Sequence, residues 1–140
     1  MKRKYVAAGL VLAAVAAVLC FVLLRSSPPS SAVSVLVDGK AYAPQPSAVE
    51  KQEDLRIHVT LDGQEIAVLP FGEPHSVRIV QPGGEENTLR ITEESVRMES
   101  ANCEGQDCVH MEEVTRDNLE TRVMFGMIIC LPHRLSVEVR

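Results

Sequence analysis

Two stretches hold most of the side chains capable of chemistry. Ala101 to His110 reads ANCEGQDCVH, and Ile128 to Val139 reads IICLPHRLSVEV. Together they supply Cys103, Cys108 and Cys130 with His110 and His133, enough soft ligands for a tetrahedral zinc or a small iron–sulfur site. The spacing weighs against that use. Cys103 and Cys108 stand in C-x4-C, wider than a zinc knuckle, and Cys108 and His110 share a face only if the segment is a strand. Thiol–disulfide exchange needs the C-x-x-C turn and helix N-terminus that depress a thiol pKa, and neither is written here.

Outside the cytoplasm, the commoner use of three cysteines is one disulfide and one leftover thiol. A Cys103–Cys108 ring is short and constrains the unfolded chain by about 2 kcal/mol. Pairing either with Cys130 pins the loop to the last hairpin, with a larger entropic effect. All three pairings stay open. Cys103, Cys108 and Cys130 are therefore disulfide candidates first and a metal set second. No catalytic or cofactor-binding residue is assigned, and no cofactor is expected.

The remaining titratable residues point to surface. His58 and His75 fall on polar faces of predicted strands, and no G-x-S-x-G elbow accompanies any histidine. The pairs Glu85-Glu86, Glu93-Glu94 and Glu112-Glu113 lie at turns without calcium-loop spacing.

These residues need a scaffold, and the amino terminus says where it is placed. Tyr5 to Leu24 is about twenty residues without charge, enough to cross ~30 Å of hydrocarbon as a helix. Lys2, Arg3 and Lys4 precede it and only Arg25 follows, so the positive-inside bias keeps residues 1–4 cytoplasmic and exports the rest. A cleaved signal peptide has a shorter apolar core, although Ser30 and Ala32 offer small residues for a peptidase. Acylation of Cys20 is disfavoured by the bulky Leu19 before it. An uncleaved single-pass anchor is the expectation, with Cys20 an ordinary apolar residue in it. The segment after the anchor carries 10 Lys and Arg against 19 Asp and Glu, a net charge near −9. That excludes a nucleic-acid footprint and disfavours an anionic lipid surface.

Residues 25–54 read as a tether (RSSPPSS, then APQP) with a loosely attached short strand at Val33 to Val37. From Leu55 the alternation Leu55, Ile57, Val59, Leu61 marks a strand with one buried face, and Asp62-Gly63 marks a hairpin turn. Further strands are expected at 64–69, 76–80, 88–92, 96–100, 127–131 and 135–139, with Pro132-His133-Arg134 as the last turn. Glu112 to Thr121 reads as a helical turn or an exposed loop. Short strands spaced by turn signals predict an all-β domain over 55–140, a small barrel-like or sandwich structure of antiparallel strands preceded by one transmembrane helix. With no tryptophan its core has little aromatic area.

From Leu61 to Arg140 the chain resembles the NusG domain II-like proteins. The resemblance is carried by LDGQEIAVLPF, GGEENTLRI, the run Ala101-Asn102-Cys103 with Cys108 and Val109 after it, and IICLPHRLSVEV. It implies a small β-barrel-like domain, in stand-alone bacterial members anchored to a membrane, sometimes beside components of flavin-linked extracytoplasmic electron transfer or small-molecule uptake. Cys103, Cys108, Cys130 and Leu131-Pro132 match its motif positions. His110-Met111-Glu112 departs from the glycine–tryptophan pair that the family usually has there, and His133 replaces its asparagine.

The expected function is a non-enzymatic extracytoplasmic binding or accessory module for an envelope or membrane protein. It implies an exposed apolar or loop surface near Pro70 to Pro74 or Glu112 to Phe125. The alternative is a redox accessory using Cys103, Cys108 and Cys130 for a metal centre or disulfide exchange.

Overall fold

Alternation of apolar and polar residues fixes which face of each strand turns inward. The computed structural model describes residues 32–43 and 55–140. The Tyr5–Leu24 span and most of the 25–54 segment lie outside the described residues. Among the described residues no helix is long and apolar enough to cross a membrane.

The elements are β1 (Ser34–Val37), β2 (Lys40–Ala41), β3 (Arg56–Leu61), β4 (Gln64–Pro70), β5 (His75–Val80), β6 (Glu86–Ile91), β7 (Ser95–Ala101), α1 (Asp107–His110), β8 (Val114–Thr115), β9 (Met127–Cys130) and β10 (Leu135–Val139). They form a six-stranded sheet in the order β2-β1-β5-β6-β7-β8 and a four-stranded sheet in the order β4-β3-β10-β9. Every pairing is antiparallel. The all-β expectation holds, and most strand boundaries fall within two residues of the predicted ones.

The two sheets share one apolar core. Val77, Ile79, Leu89, Ile91, Val96 and Met98 come from the larger sheet. Ile57, Val59, Leu69, Ile128, Leu135 and Val137 answer from the smaller. Each such side chain contributes about 1.5–3 kcal/mol when it leaves water. Register follows, because a one-residue slip would turn every one of these outward. Phe71 also enters the core, and Arg116 lies 5.2 Å over its ring.

Both Asp-Gly pairs make tight hairpin turns. Asp38 and Gly39 have φ of 50° and 77°, and Asp62 and Gly63 have 53° and 77°. Two successive positive φ values are what a type I′ turn requires, and aspartate tolerates the first of them. In the smaller sheet β10 is an interior strand. It pairs with β3 from Leu135↔Leu61 to Val139↔Ile57 and with β9 on its other side. Arg56 and Arg140 exchange backbone hydrogen bonds at 2.8 and 3.0 Å, which closes the pairing at its far end.

The loosely attached strand expected within 25–54 is corrected. β1 is a full member of the larger sheet, paired with β5 from Ser34↔Val80 to Val37↔Val77, and the compact unit runs from Ala32 to Arg140. Asp38 secures the join. Its Oδ1 accepts the Ser76 amide at 2.9 Å and its Oδ2 lies 2.7 Å from His75 Nδ1. The Ser76 N–H, then His75, hold the Asp38 carboxyl below its ordinary value.

A depressed carboxylate stabilises the fold above its ordinary pKa, and that contribution is lost as pH falls through the folded value. In an NMR titration Asp38 is expected to have its midpoint below 3.8, with faster amide exchange in β1 once it protonates. A midpoint at or above that value shows that the carboxylate does not tie β1 to β5.

Candidate functional site

The loop that follows β7 is anchored before it reaches its first cysteine. Asn102 accepts the Glu86 amide on Oδ1 at 2.8 Å and donates from Nδ2 to the Gly84 carbonyl at 2.9 Å. Cys103 follows, buried. The chain then turns through Gln106, whose φ of 51° and ψ of 22° are left-handed, and enters the single turn of α1. Its first bonds run from the Val109 and His110 amides to the Gln106 carbonyl at 2.9 and 3.3 Å. This turn points Cys108 inward, while His110 stays exposed. Cys130 comes from the far side as the last residue of β9, in register with Leu135.

The three sulfurs lie within 4.8 Å of one another, and all three residues are buried. Cys103 Sγ and Cys108 Sγ stand 4.0 Å apart, about twice an S–S bond length, and none of the three is bonded to another here. A small cleft of about 60 Å³ opens beside them, walled by Gln106, Asp107, Leu131 and Pro132. Burial, then the neighbouring Cys130 and Cys103, push the Cys108 thiol up to about 12. A thiol held protonated is a poor nucleophile and a poor exchange group.

Iodoacetamide at about pH 8 is therefore expected to alkylate the three cysteines of the folded, reduced, chelator-treated chain no faster than the fold opens. Cys108 should gain reactivity only as pH climbs toward 12. Fast labelling of Cys108 in folded protein near neutral pH contradicts this arrangement.

Neither histidine of the sequence-derived ligand set joins the sulfurs. His133 is buried in the β9–β10 turn, and its Nδ1 lies 2.7 Å from Asn87 Oδ1. The Asn87 oxygen can only accept, so His133 carries a proton on Nδ1 and donates it. The Asn87 amide nitrogen faces Met98 Sδ at 3.5 Å, which fits this orientation because a thioether only accepts. Gln81 completes the bridge, donating from Nε2 to the His133 carbonyl at 2.9 Å. This polar chain ties the larger sheet to the turn of the smaller one. Asn87→Leu leaves the His133 N–H buried without an acceptor and should cost about 1–3 kcal/mol in urea unfolding. An unchanged midpoint would remove the bridge from the account.

His58 and His75 are half-buried and each faces a carboxylate, Glu65 and Asp38, both at 2.7 Å. That corrects their reading as simply solvated residues.

Between α1 and β9 the chain is ordered by side chains. Asn118 accepts the Thr115 amide at 2.8 Å and donates to the Glu113 carbonyl at 2.9 Å, so of the two expectations for Glu112 to Thr121 the exposed loop holds, with the short β8 inside it and turns after it. Arg122 is buried and donates to the carbonyls of Phe125 (2.6 Å), Met127 (3.1 Å) and Glu112. It drives the intervening residues outward: Val123 is 95% exposed, Phe125 66% and Met124 39%. Gly126 then passes so close to β10 that a Cβ there would sit 2.4 Å from the Val139 carbonyl oxygen. An exposed apolar surface thus falls within Glu112 to Phe125, as expected. At Pro70 to Pro74 the large side chain, Phe71, is buried. Sequence reasoning missed Arg122, whose inward course no periodicity announces.

Comparison with known proteins agrees with this architecture. The sequence profile described as NusG domain II matches residues 6–140. No curated protein matches the chain. Among solved structures, the Lin0431 protein from Listeria innocua is similar at 21% identity and a TM-score of 0.52, covering 63% of this chain and 97% of its own. A DUF1312 family protein (EF3258) from Enterococcus faecalis V583 is similar at 20% identity and 0.53, covering 61% and 95%. A DUF1312 family protein from Ruminococcus gnavus ATCC 29149 is 30% identical at a TM-score of 0.47, covering 61% and 97%. The likeness to the first two is one of fold.

Proposed function

This chain belongs to the NusG domain II family, and we propose that it is a single-pass, membrane-anchored extracytoplasmic protein whose β domain is a non-enzymatic accessory module. Its partner on this reading is an envelope or membrane protein with an apolar recess. The observation that carries the reading is the exposed run Val123-Met124-Phe125, held outward by the buried Arg122. Single exposed apolar residues are ordinary, but three in succession on a hydrogen-bonded turn form a preorganised anchor. Little ordering entropy remains to be lost on docking. The surrounding charge, near −9 after Arg25, favours a protein recess over an anionic bilayer.

The histidines support a role without chemistry. Hydrogen-bond partners of His58, His75 and His133 include Glu65, Asp38 and Asn87, rather than a hydroxyl or thiol nucleophile. The second reading, a redox accessory, divides in two. Exchange chemistry is opposed by burial of the thiols and the raised Cys108. A metal centre draws support from the convergence of the three sulfurs.

A photo-crosslinking residue at Phe125 of the full chain, in native membranes, tests the docking reading. The expected result is a saturable protein adduct that excess unlabelled chain competes away and that Val123→Ser with Met124→Ser abolishes. Adducts with lipid alone, or equal adducts from a probe at Glu85, overturn it.

A further inference from the structure

Cys103, Cys108 and Cys130 are the one group of potential metal ligands that meets within 4.8 Å among the described residues. They reach that point from three separate pieces of backbone: the loop after β7, the turn of α1, and the end of β9. A staple needs two cysteines, so a third buried sulfur within 4.8 Å of both calls for a different use. Hydrophobic filling would be met by alanine or valine without bringing three thiols together.

The distances select the kind of centre. A zinc–sulfur bond of about 2.3 Å in tetrahedral geometry sets sulfurs about 3.8 Å apart. The observed 4.0 Å for Cys103 and Cys108, and the 4.8 Å bound for all three, lie within a small side-chain rotation of that spacing. An iron–sulfur cube interposes its own sulfides between irons and cysteines, which spreads the cysteine sulfurs more widely. The donor set is sulfur alone, since His110 is exposed and His133 is engaged with Asn87. Magnesium and calcium, which require oxygen, are thereby excluded. The adjoining cleft of about 60 Å³ holds room for a solvent ligand, and exposed Asp107 stands on its wall.

We propose that Cys103, Cys108 and Cys130 form a trithiolate site for one thiophilic d10 cation, Zn(II) or Cu(I). Copper(I) is completed by the three sulfurs, and zinc takes a fourth ligand from the cleft. On binding, each thiol gives its proton to solvent and forms a metal–sulfur bond, with no change of oxidation state. The site is independent of the docking turn at Val123–Phe125.

The test uses the full chain carrying Cys20→Ser, reduced and purified without oxygen in detergent. It is titrated with Zn(II), with Cu(I), and with Co(II) as a spectroscopic stand-in. One equivalent is expected to bind, with intense sulfur-to-cobalt charge-transfer absorption and displacement of cobalt by zinc. Competition against chelators of known affinity then tells zinc from copper. Cys130→Ser should weaken binding by on the order of 100-fold or more, the upper limit of what losing an outer-shell partner costs. His110→Ala should leave affinity unchanged. Absence of saturable uptake of all three ions overturns the proposal, as does a cobalt spectrum without thiolate bands. Cys130→Ser binding as tightly as its parent overturns it too. The thiolate bands are read on the parent, so the result does not depend on the variant folding.

Discussion

A single apolar layer, shared by two antiparallel sheets and built almost wholly of aliphatic side chains, governs the rest of this molecule. Val77, Ile79, Leu89 and Ile91 on one side meet Ile57, Val59, Leu135 and Val137 on the other. Such a layer has no water to satisfy a polar group, so each polar atom admitted to its border must bring its own partner. Gln81, Asn87 and His133 do so by closing on one another. Arg122 does so by spending its guanidinium on backbone carbonyls, although its Nε is left without a hydrogen bond. The three cysteines need less, because a neutral thiol is a small and weakly polar group.

Much of the fold was legible in the sequence because it rests on local signals. Period-two alternation located the strands, and Asp62-Gly63 marked a tight turn because positive φ values are cheap for aspartate and glycine. β10 was read without error, since Leu135, Val137 and Val139 alternate cleanly with Ser136 and Glu138. What escaped depends on distant partners. β1 reads as a fragment until β5 lies beside it and Asp38 meets Ser76 and His75. α1 has four residues, too few to show a helical period, and a left-handed Gln106 before it gives no sequence signal.

The candidate site was half legible. Composition picked out the three cysteines that the fold brings together but also enrolled His110 and His133, because spacing alone cannot say which way a side chain faces. The turn of α1 separates Cys108 from His110, and Asn87 claims His133. After Cys108 the chain forms β8, the Asn118 turn and the Arg122 anchor before it reaches β9. That stretch leaves Val123, Met124 and Phe125 outside.

The interior position of β10 has a consequence in time. The strand that joins β3 to β9 lies about seventy-five residues beyond β3 in sequence, so the smaller sheet cannot assemble in the order in which its strands are made. β3 and β4 can form a hairpin early around Asp62-Gly63. That hairpin must then wait with the open edge of β3 until residues 135–139 arrive. During that wait, an edge rich in Ile57, Val59 and Leu61 is a template for any passing strand. The order of synthesis thus leaves this small domain most vulnerable to mispairing just before it becomes most complete.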